Sequence, residues 1–270
     1  MAIPYDENGF LHGRIEHWVK EHRETFSGVF AEAEALNRRC HEFLDGRSVA
    51  LDNERQLLTS VLFARILELY QGAILLAERG LSTSVRIQFR AFLEAFFHHA
   101  AIHIDPGYLD DYLNQFHIQR QKFVNRIRQT SSSRLKDLRQ KLDEVIVAKI
   151  AKIVKDEGAQ RISIEDVARR AQLHDIYVTV YEVLSRAVHT SATDLESPLQ
   201  LSKNSDEIVG FLYGPSSNET RRVICLMGMA LSEALEQVSR TFGEDRNKLC
   251  SRHKEGFQAL LREVDEENSI

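Results

Sequence analysis

"DNERQLLTSVLFARILELYQGAILLAERG", residues 52–80, is the stretch that decides the fold class. Its apolar residues recur at three- and four-residue spacing, which is the period of one buried helix face. Asp52 and Asn53 belong to the residue types that cap helix N-termini, and Gly80 to the type that ends helices. The stretch therefore predicts one long core helix.

The next stretch, "STSVRIQFRAFLEAFFHHAAIHIDP" over residues 82–106, repeats the helical period. Ser82 or Ser84 is the expected N-terminal cap, and Asp105-Pro106 is the expected stop, because proline disfavours helical backbone in the residue before it. The connection between the two stretches is short. Short connections join antiparallel neighbours, so the two helices are predicted to form a hairpin.

Helical patterns recur along the rest of the chain, over residues 107–129, 134–158, 163–173, 174–189, 218–243 and 244–267. Residues 190–216 form one long irregular segment, within which "EIVGFLY" (207–213) is a possible short strand. The prediction is an all-α bundle of long antiparallel helices. It is a single domain overall, with an N-terminal helical extension over residues 1–48 and the bundle over 49–270.

Composition narrows the class of protein. The 270 residues carry a net charge of -5, which gives no global reason to expect duplex DNA binding. The chain has three cysteines, Cys40, Cys225 and Cys250. Their odd number and the absence of a Cys-x-x-Cys pair argue against a disulfide framework and a zinc ribbon. The N-terminus lacks a signal-peptide pattern, and no apolar run reaches the ~18 residues of a spanning helix. We expect a cytoplasmic protein with no membrane contact and no cofactor.

A polar strip crosses the otherwise apolar helix predicted over residues 82–106. Arg86, Arg90, Glu94 and His98 are four residues apart, so they share one side of the helix. Charged groups among apolar neighbours are costly unless they pair with each other or with a ligand. The strip is therefore either an Arg90–Glu94 ion pair that fixes helix packing or part of a polar pocket inside the bundle.

A second strip lies on the helix predicted over residues 174–189, where Tyr177, Tyr181, Ser185 and His189 are also four apart. His189 ends this helix, where the dipole favours a protonated imidazole and the irregular segment begins. It is either a functional residue or a cap that donates to a backbone carbonyl. Arg186 either joins His189 or pairs with Glu182 on the solvent side.

Three histidines raise the possibility of a metal site, since His99 and His103 are one turn apart and Glu94 precedes His98 by the same spacing. A di-iron bundle uses Glu-x-x-His on two helices, and this chain shows no second copy of its Glu94–His98 arrangement. His103 is more simply a C-terminal helix residue favoured by the dipole. No metal is predicted.

"SIEDVARRAQL" (163–173) has the form of the first helix of a helix-turn-helix repressor. Gln172 stands where such motifs usually place glycine, and the following helix is poor in side chains that contact base edges. Duplex DNA is therefore an unlikely partner, and a DNA-binding regulator is the third of three functional hypotheses.

Two stretches carry a resemblance to a known family. "RIQFRAFLEAFFHHAAI" (86–102), with its Arg-x-x-x-Glu, and "YEVLSRAVHTS" (181–191), with its Tyr, Ser and His, resemble uncharacterised bacterial helical proteins similar to the HEPN superfamily. The resemblance covers roughly residues 50–200. It implies a small α-bundle, often dimeric, that is either a metal-independent ribonuclease with an Arg-x(4–6)-His motif or an inert nucleotide-binding or adaptor module.

Two residues separate Arg186 from His189, whereas Arg169 and His174 have the family's spacing at a helix start. The resemblance implies a composite site in which Arg90 and Glu94 face Ser185 and His189. The first hypothesis is thus a cytoplasmic, dimeric effector that cleaves RNA or binds a nucleotide in stress or phage defence. The second is a non-catalytic helical interaction module.

Overall fold

The fold is that of a computed structural model, which describes residues 9–11, 13, 15–142, 144–156, 160–189, 199–202, 207–211 and 214–267. The prediction of an all-α bundle is confirmed. Its α-helices are α1 (Ile15–Thr25), α2 (Ser27–Leu44), α3 (Glu54–Glu78), α4 (Ser82–Ile104), α5 (Tyr108–Gln129), α6 (Lys136–Lys141), α7 (Glu144–Asp156), α8 (Ile164–Arg170), the short α9 (His174–Ile176), α10 (Glu182–His189), α11 (Asn218–Thr241) and α12 (Asn247–Glu267). A π-helix, Tyr177–Tyr181, joins α9 to α10.

The core of the bundle forms where α3, α4 and α11 pack together. Their facing sides carry fully buried aromatic and aliphatic residues, among them Phe63, Phe92, Phe97 and Leu231. Each side chain of this size contributes about 1.5–3 kcal/mol when it leaves water. The α3–α4 hairpin predicted from residues 52–106 is therefore the centre of the molecule.

The helix ends follow the predicted caps except at the start of α4. The Asn53 side chain accepts a hydrogen bond from the Gln56 backbone N–H at 3.1 Å, and Gly80 adopts the left-handed φ of 69° that follows a helix. Asp105 leaves the helix in extended backbone, as its Pro106 neighbour requires. The prediction of a serine cap for α4 is wrong: Leu81 occupies the cap position, and Ser82 is already helical.

The N-terminal helices contribute to the same core. The longer of the two, α2, packs against α3, α11 and α12. Its Leu36 and Phe43 are fully buried, and the ring of Phe43 meets that of Phe63 at 5.8 Å. The division into residues 1–48 and 49–270 stays a prediction. All three cysteines are buried with free thiols, and burial raises the pKa of Cys250 to about 11.

Helices α5, α6 and α7 form a projection that we call the arm (residues 108–156). Arg128, near the end of α5, pairs with Glu144 at the start of α7, so the two helices run antiparallel. The prediction of one helix over residues 134–158 is wrong, because the backbone of Leu142 is not helical and ends α6. Arg139 of α6 donates to the carbonyls of Thr130 and Ser132, which ties α6 to the end of α5.

The irregular segment holds a small antiparallel sheet, in which β1 (Leu199–Leu201) pairs with β2 (Ile208–Phe211). Leu199 lies opposite Phe211, and a bulge shifts the register between Gln200 and Leu201. The strand predicted within residues 207–213 is thus confirmed. Residues 190–198, 203–206 and 212–213 lie outside the described part of the chain.

Of the helices that the structure describes, α3 alone is long and apolar enough to cross a membrane. Half of its most apolar window is buried inside the bundle, where it packs on α4 and α11. Burial of this kind is the ordinary environment of a core helix.

Candidate functional site

Helix α10 packs against α4 and brings the two predicted polar strips together. Arg90 Nε donates to Ser185 Oγ at 3.1 Å, and Arg90 Nη2 lies 3.1 Å from Glu94 Oε1. Three of the four predicted site residues are therefore in contact. The Arg90 side chain is 20% exposed and Glu94 39%, so the ion pair lies at the edge of the core and not inside it.

Tyr181 also belongs to this cluster, although it was predicted only as a member of the strip on residues 174–189 and not as a site residue. Its hydroxyl donates to Glu94 Oε1 at 2.5 Å, and the Arg90 guanidinium carbon lies 4.8 Å from the centre of its ring. Burial and the Glu94 carboxylate raise the pKa of Tyr181 well above its usual range, so the hydroxyl stays a donor. The spacing of four from Ser185 was the signal that could have included it.

The π-helix continues the cluster toward α8. Tyr181 stacks on Tyr177 with ring centres 5.2 Å apart, and Tyr177 stacks on His174 at 6.0 Å. Single π turns inside α-helices occur frequently at functional sites. Here the turn lies between the candidate residue Ser185 and the His174 ring.

The Arg-x(4)-His pair that the sequence contains is also assembled in space. Glu165 Oε1 accepts from Arg169 Nη2 at 2.6 Å and lies 3.1 Å from His174 Nε2. These two contacts hold the pKa of Glu165 below its usual range. The capping box of Ser163 and Asp166 fixes the helix start that carries them. Sequence analysis missed Glu165, because its role becomes visible only when α9 turns back on α8.

His189 is the last residue of α10, one turn after Ser185, which is the helix end predicted for it. Its side chain lies outside the described part of the structure. The assignment of His189 to the site stays a prediction.

A groove of about 500 Å³ lies beside the cluster, between α4, α10 and α11. Its apolar lining includes Phe89 and Leu184, and Arg86, Arg186 and Arg222 bring three guanidinium groups to it. Arg86 pairs with Glu219 at 3.4 Å. Of the two alternatives for Arg186, the pairing with Glu182 is not found among the described side chains, where Arg186 is exposed and lines the groove.

Two of the three histidines considered for a metal site, His98 and His99, have different neighbours. His98 Nδ1 lies 2.6 Å from the Tyr108 hydroxyl, and His99 Nδ1 lies 3.1 Å from Gln237 Oε1. Burial lowers the pKa of both His98 and His99 to about 4. Within the described residues, no three His, Cys, Asp or Glu side chains are grouped as a metal ion requires.

The segment that resembles a helix-turn-helix contains a left-handed residue at the position where such motifs usually place glycine. Gln172 adopts a left-handed φ of 57°, which a glycine would adopt without strain. The helix that follows packs on α4, and its Tyr181, Leu184 and Ala187 are buried.

The fold and the cluster define an all-α bundle protein with a polar site at the contact of two helices. The chain belongs to a family of unknown function (DUF5677), whose family model matches residues 56–208. That range contains the whole predicted site and the arm. No curated protein and no solved structure matches the chain.

Proposed function

We propose that the protein is a HEPN-like, metal-independent ribonuclease whose site is composed of Arg90, Glu94, Ser185 and His189. The observation that supports the proposal is the contact of Arg90 with Ser185 and Glu94 at the edge of the core. It holds a guanidinium in one orientation, one helical turn from the residue predicted as the base. Of the five N–H donors of an arginine, these contacts use two, which leaves others for a phosphate.

His189 acts as general base and removes the proton from a ribose 2′-hydroxyl. The 2′-oxygen attacks phosphorus, the bond to the 5′-oxygen breaks, and the departing oxygen takes a proton from solvent. Arg90 stabilises the charge that develops on the phosphorane, while Glu94 and Ser185 orient Arg90. We further propose that the protein works as a cytoplasmic homodimer in stress or phage defence.

The test is incubation of the purified protein with a mixed cellular RNA pool in the presence of EDTA. The variants are His189→Ala and Arg90→Ala, and His17→Ala is the matched control, because His17 is an exposed histidine on α1. We expect wild type and the control to cleave RNA and both site variants to lose at least a hundredfold in rate. Light scattering in solution tests the homodimer.

Circular dichroism of the same proteins tests the second hypothesis, a non-catalytic helical interaction module. The contact of Arg90 with the Tyr181 ring and two side chains favours it, because such a contact also fixes the packing of α10 on α4. That hypothesis predicts no cleavage by wild type and a large fall in the thermal midpoint of both site variants. Cleavage that survives His189→Ala would contradict the composite site.

Nucleotide binding is a further candidate function, and the groove favours it. Its apolar lining suits a base, and Arg186 suits a phosphate, whereas the other two arginines of the groove pair with carboxylates, Arg86 with Glu219 and Arg222 with Asp265. Calorimetric titration with AMP, ADP and GMP tests it. We expect Arg186→Gln to weaken binding about tenfold, whereas equal affinity of variant and wild type would contradict a role for the groove.

A further inference from the structure

The arm contains a strongly basic stretch within an acidic chain. Between Tyr112 and Leu142 there are eight lysines and arginines and a single aspartate, Asp137, which gives this stretch a net charge of +7. The whole chain carries -5, so the remaining residues carry -12. A local field of this sign attracts polyanions even when the total charge is negative.

Aromatic side chains accompany these charges on one side of α5. Phe116 and Phe123 are 61% and 62% exposed, and each has an exposed arginine about one turn further along the helix, Arg120 after Phe116 and Arg126 after Phe123. We call these four residues the stripe. The two phenylalanines are seven residues apart, which places them about 10 Å apart along the helix axis.

Most cations of the arm have no ion-pair partner within the described part of the chain. Arg128 pairs with Glu144, and Arg139 donates to backbone carbonyls. The other six cations between Tyr112 and Leu142 make no ion pair among the described residues: Arg120, Lys122, Arg126, Arg134, Lys136 and Lys141. Unpaired surface cations beside exposed aromatic rings are the combination that holds single-stranded nucleic acids, since phosphates meet the cations and bases stack on the rings.

We propose that the stripe and the neighbouring cations of the arm bind single-stranded nucleic acid. Stacking on Phe116 and Phe123 requires unpaired bases, which favours a single strand over a duplex. Arg120 separates the two phenylalanines, so the stripe lacks the continuous apolar face of a membrane-surface helix.

The root of the arm leads to the candidate site. Tyr112 lies one turn before Phe116, and its ring contacts the His98 ring at 5.1 Å. His98 follows Glu94 by one turn of α4. This inference rests on the proposed function in one respect, because a strand bound to the arm is the substrate that the site would receive.

Fluorescence anisotropy tests the proposal with a labelled 20-nucleotide 2′-O-methyl oligouridine, which has no free 2′-hydroxyl and so resists the proposed cleavage. One variant removes the rings (Phe116→Ser with Phe123→Ser), and one removes charge (Arg120→Gln, Lys122→Gln and Arg126→Gln). Exposed residues of the bundle provide matched controls, Val61→Ser with Leu75→Ser on α3 and Lys248→Gln, Arg252→Gln and Arg262→Gln on α12.

We expect wild type and both controls to bind the oligonucleotide. Removing the rings should weaken binding roughly tenfold per phenylalanine. Removing the charges should lower the slope of log affinity against log salt by about 0.7 for each phosphate that the variant no longer neutralises. A duplex of the same length should bind more weakly than the single strand and be insensitive to the ring variant.

Any of three results would overturn the proposal. The first is equal affinity of the arm variants and wild type for the oligonucleotide. The second is arm-dependent binding of phosphatidylserine vesicles without binding of the oligonucleotide, and the third is a dimer that the ring variant dissociates and that binds no oligonucleotide. The RNA-cleavage assay separates the two proposals. Arm-dependent binding without cleavage by wild type rejects the ribonuclease and keeps the arm. His189-dependent cleavage with unaltered binding by the arm variants does the reverse.

Discussion

The bundle and the arm use phenylalanine in opposite ways. In the bundle, Phe92 and Phe97 are fully buried between α4 and its neighbours, whereas in the arm Phe116 and Phe123 are 61% and 62% exposed. The charged side chains of the two regions differ in a similar way, since those of the bundle form ion pairs more often than those of the arm. Ion pairs tie segments of the bundle together, as Arg47 after α2 does with Glu244 before α12, while most cations of the arm have no ion-pair partner among the described residues.

This difference separates residues that maintain the fold from residues that are available to a ligand. Burial of an apolar ring stabilises the folded state, and an exposed ring makes little such contribution. A side chain that adds little to stability and remains exposed beside like-charged neighbours needs another explanation, and binding is the one that charge and aromatic character share. Substitutions in the two regions should therefore differ in size and in kind.

The largest expected contrast is between Phe92→Ala and Phe123→Ala. Removing the buried ring leaves a cavity in the core and should lower the free energy of unfolding by about 3–5 kcal/mol. Removing the exposed ring should change it by less than about 0.5 kcal/mol. Urea unfolding monitored by circular dichroism measures both, and equal losses would show that the arm is part of the cooperative core.

The bundle was predictable from sequence because the period of its apolar residues is strong over residues 52–106, and Asn53 and Gly80 mark the helix ends. The break at Leu142 was not, because the helical pattern of residues 134–158 continues across it, and neither was the bonding of Arg139 to carbonyls at the end of α5. A contact between residues that lie on different helices leaves no periodic signal.

The same limit applies to the candidate site. Four-residue spacing placed Arg90 with Glu94 in one strip and Ser185 in another, whereas the contact between the two strips was expected from the family resemblance and not from the spacing. The part of Glu165 in holding Arg169 and His174 depends on the turn at Gln172, whose left-handed backbone the sequence does not indicate in a glutamine. The position of the His189 side chain stays a prediction.

The next largest expected effect is the loss of folding stability of the bundle at acid pH. Burial lowers the pKa of His99 to about 4 from its ordinary 6.5, so the unfolded chain takes up this proton at a higher pH than the folded one. Between these values the unfolded state binds more protons, and stability falls as pH falls. The loss from His99 should reach about 2 kcal/mol by pH 5.

His99→Asn tests this effect, because its amide still donates toward Gln237 but does not titrate. Unfolding free energies at several pH values should show a smaller loss on acidification for the variant than for wild type. Phe123→Ala is the control that retains every titrating group and should follow the wild-type slope. An unchanged slope in His99→Asn would mean that this ring is protonated in the folded bundle.

A smaller effect is expected where α11 and α12 approach each other. A Cβ atom at Gly228 would lie 2.5 Å from the fully buried ring of Phe257, so Gly228→Ala should cost about 1–3 kcal/mol through overpacking, less the helix preference of alanine. The matched change in the arm, Asn125→Ala on the exposed side of α5, should instead stabilise by a few tenths of a kcal/mol. Thermal unfolding measures the stability of both variants. It also measures the double variant Gly228→Ala with Phe257→Leu, which should recover part of the loss.

The smallest expected effect is the coupling between Arg128 and Glu144 in the arm. The two groups are 2.6 Å apart, but their side chains are 41% and 78% exposed, and exposed pairs contribute less than about 1 kcal/mol. A double-mutant cycle with Arg128→Gln and Glu144→Gln should give about 0.5 kcal/mol or less, falling further in high salt.

A coupling well above 1 kcal/mol would mean that ion pairing holds α7 on α5. The buried side chains between them, Val124, Ile127 and Ile150, provide the alternative, which is apolar contact. If apolar contact holds the arm together, its cations can be neutralised by a bound polyanion without loss of structure. The coupling between Arg128 and Glu144 therefore tests whether the cations of the arm are available to bind a polyanion.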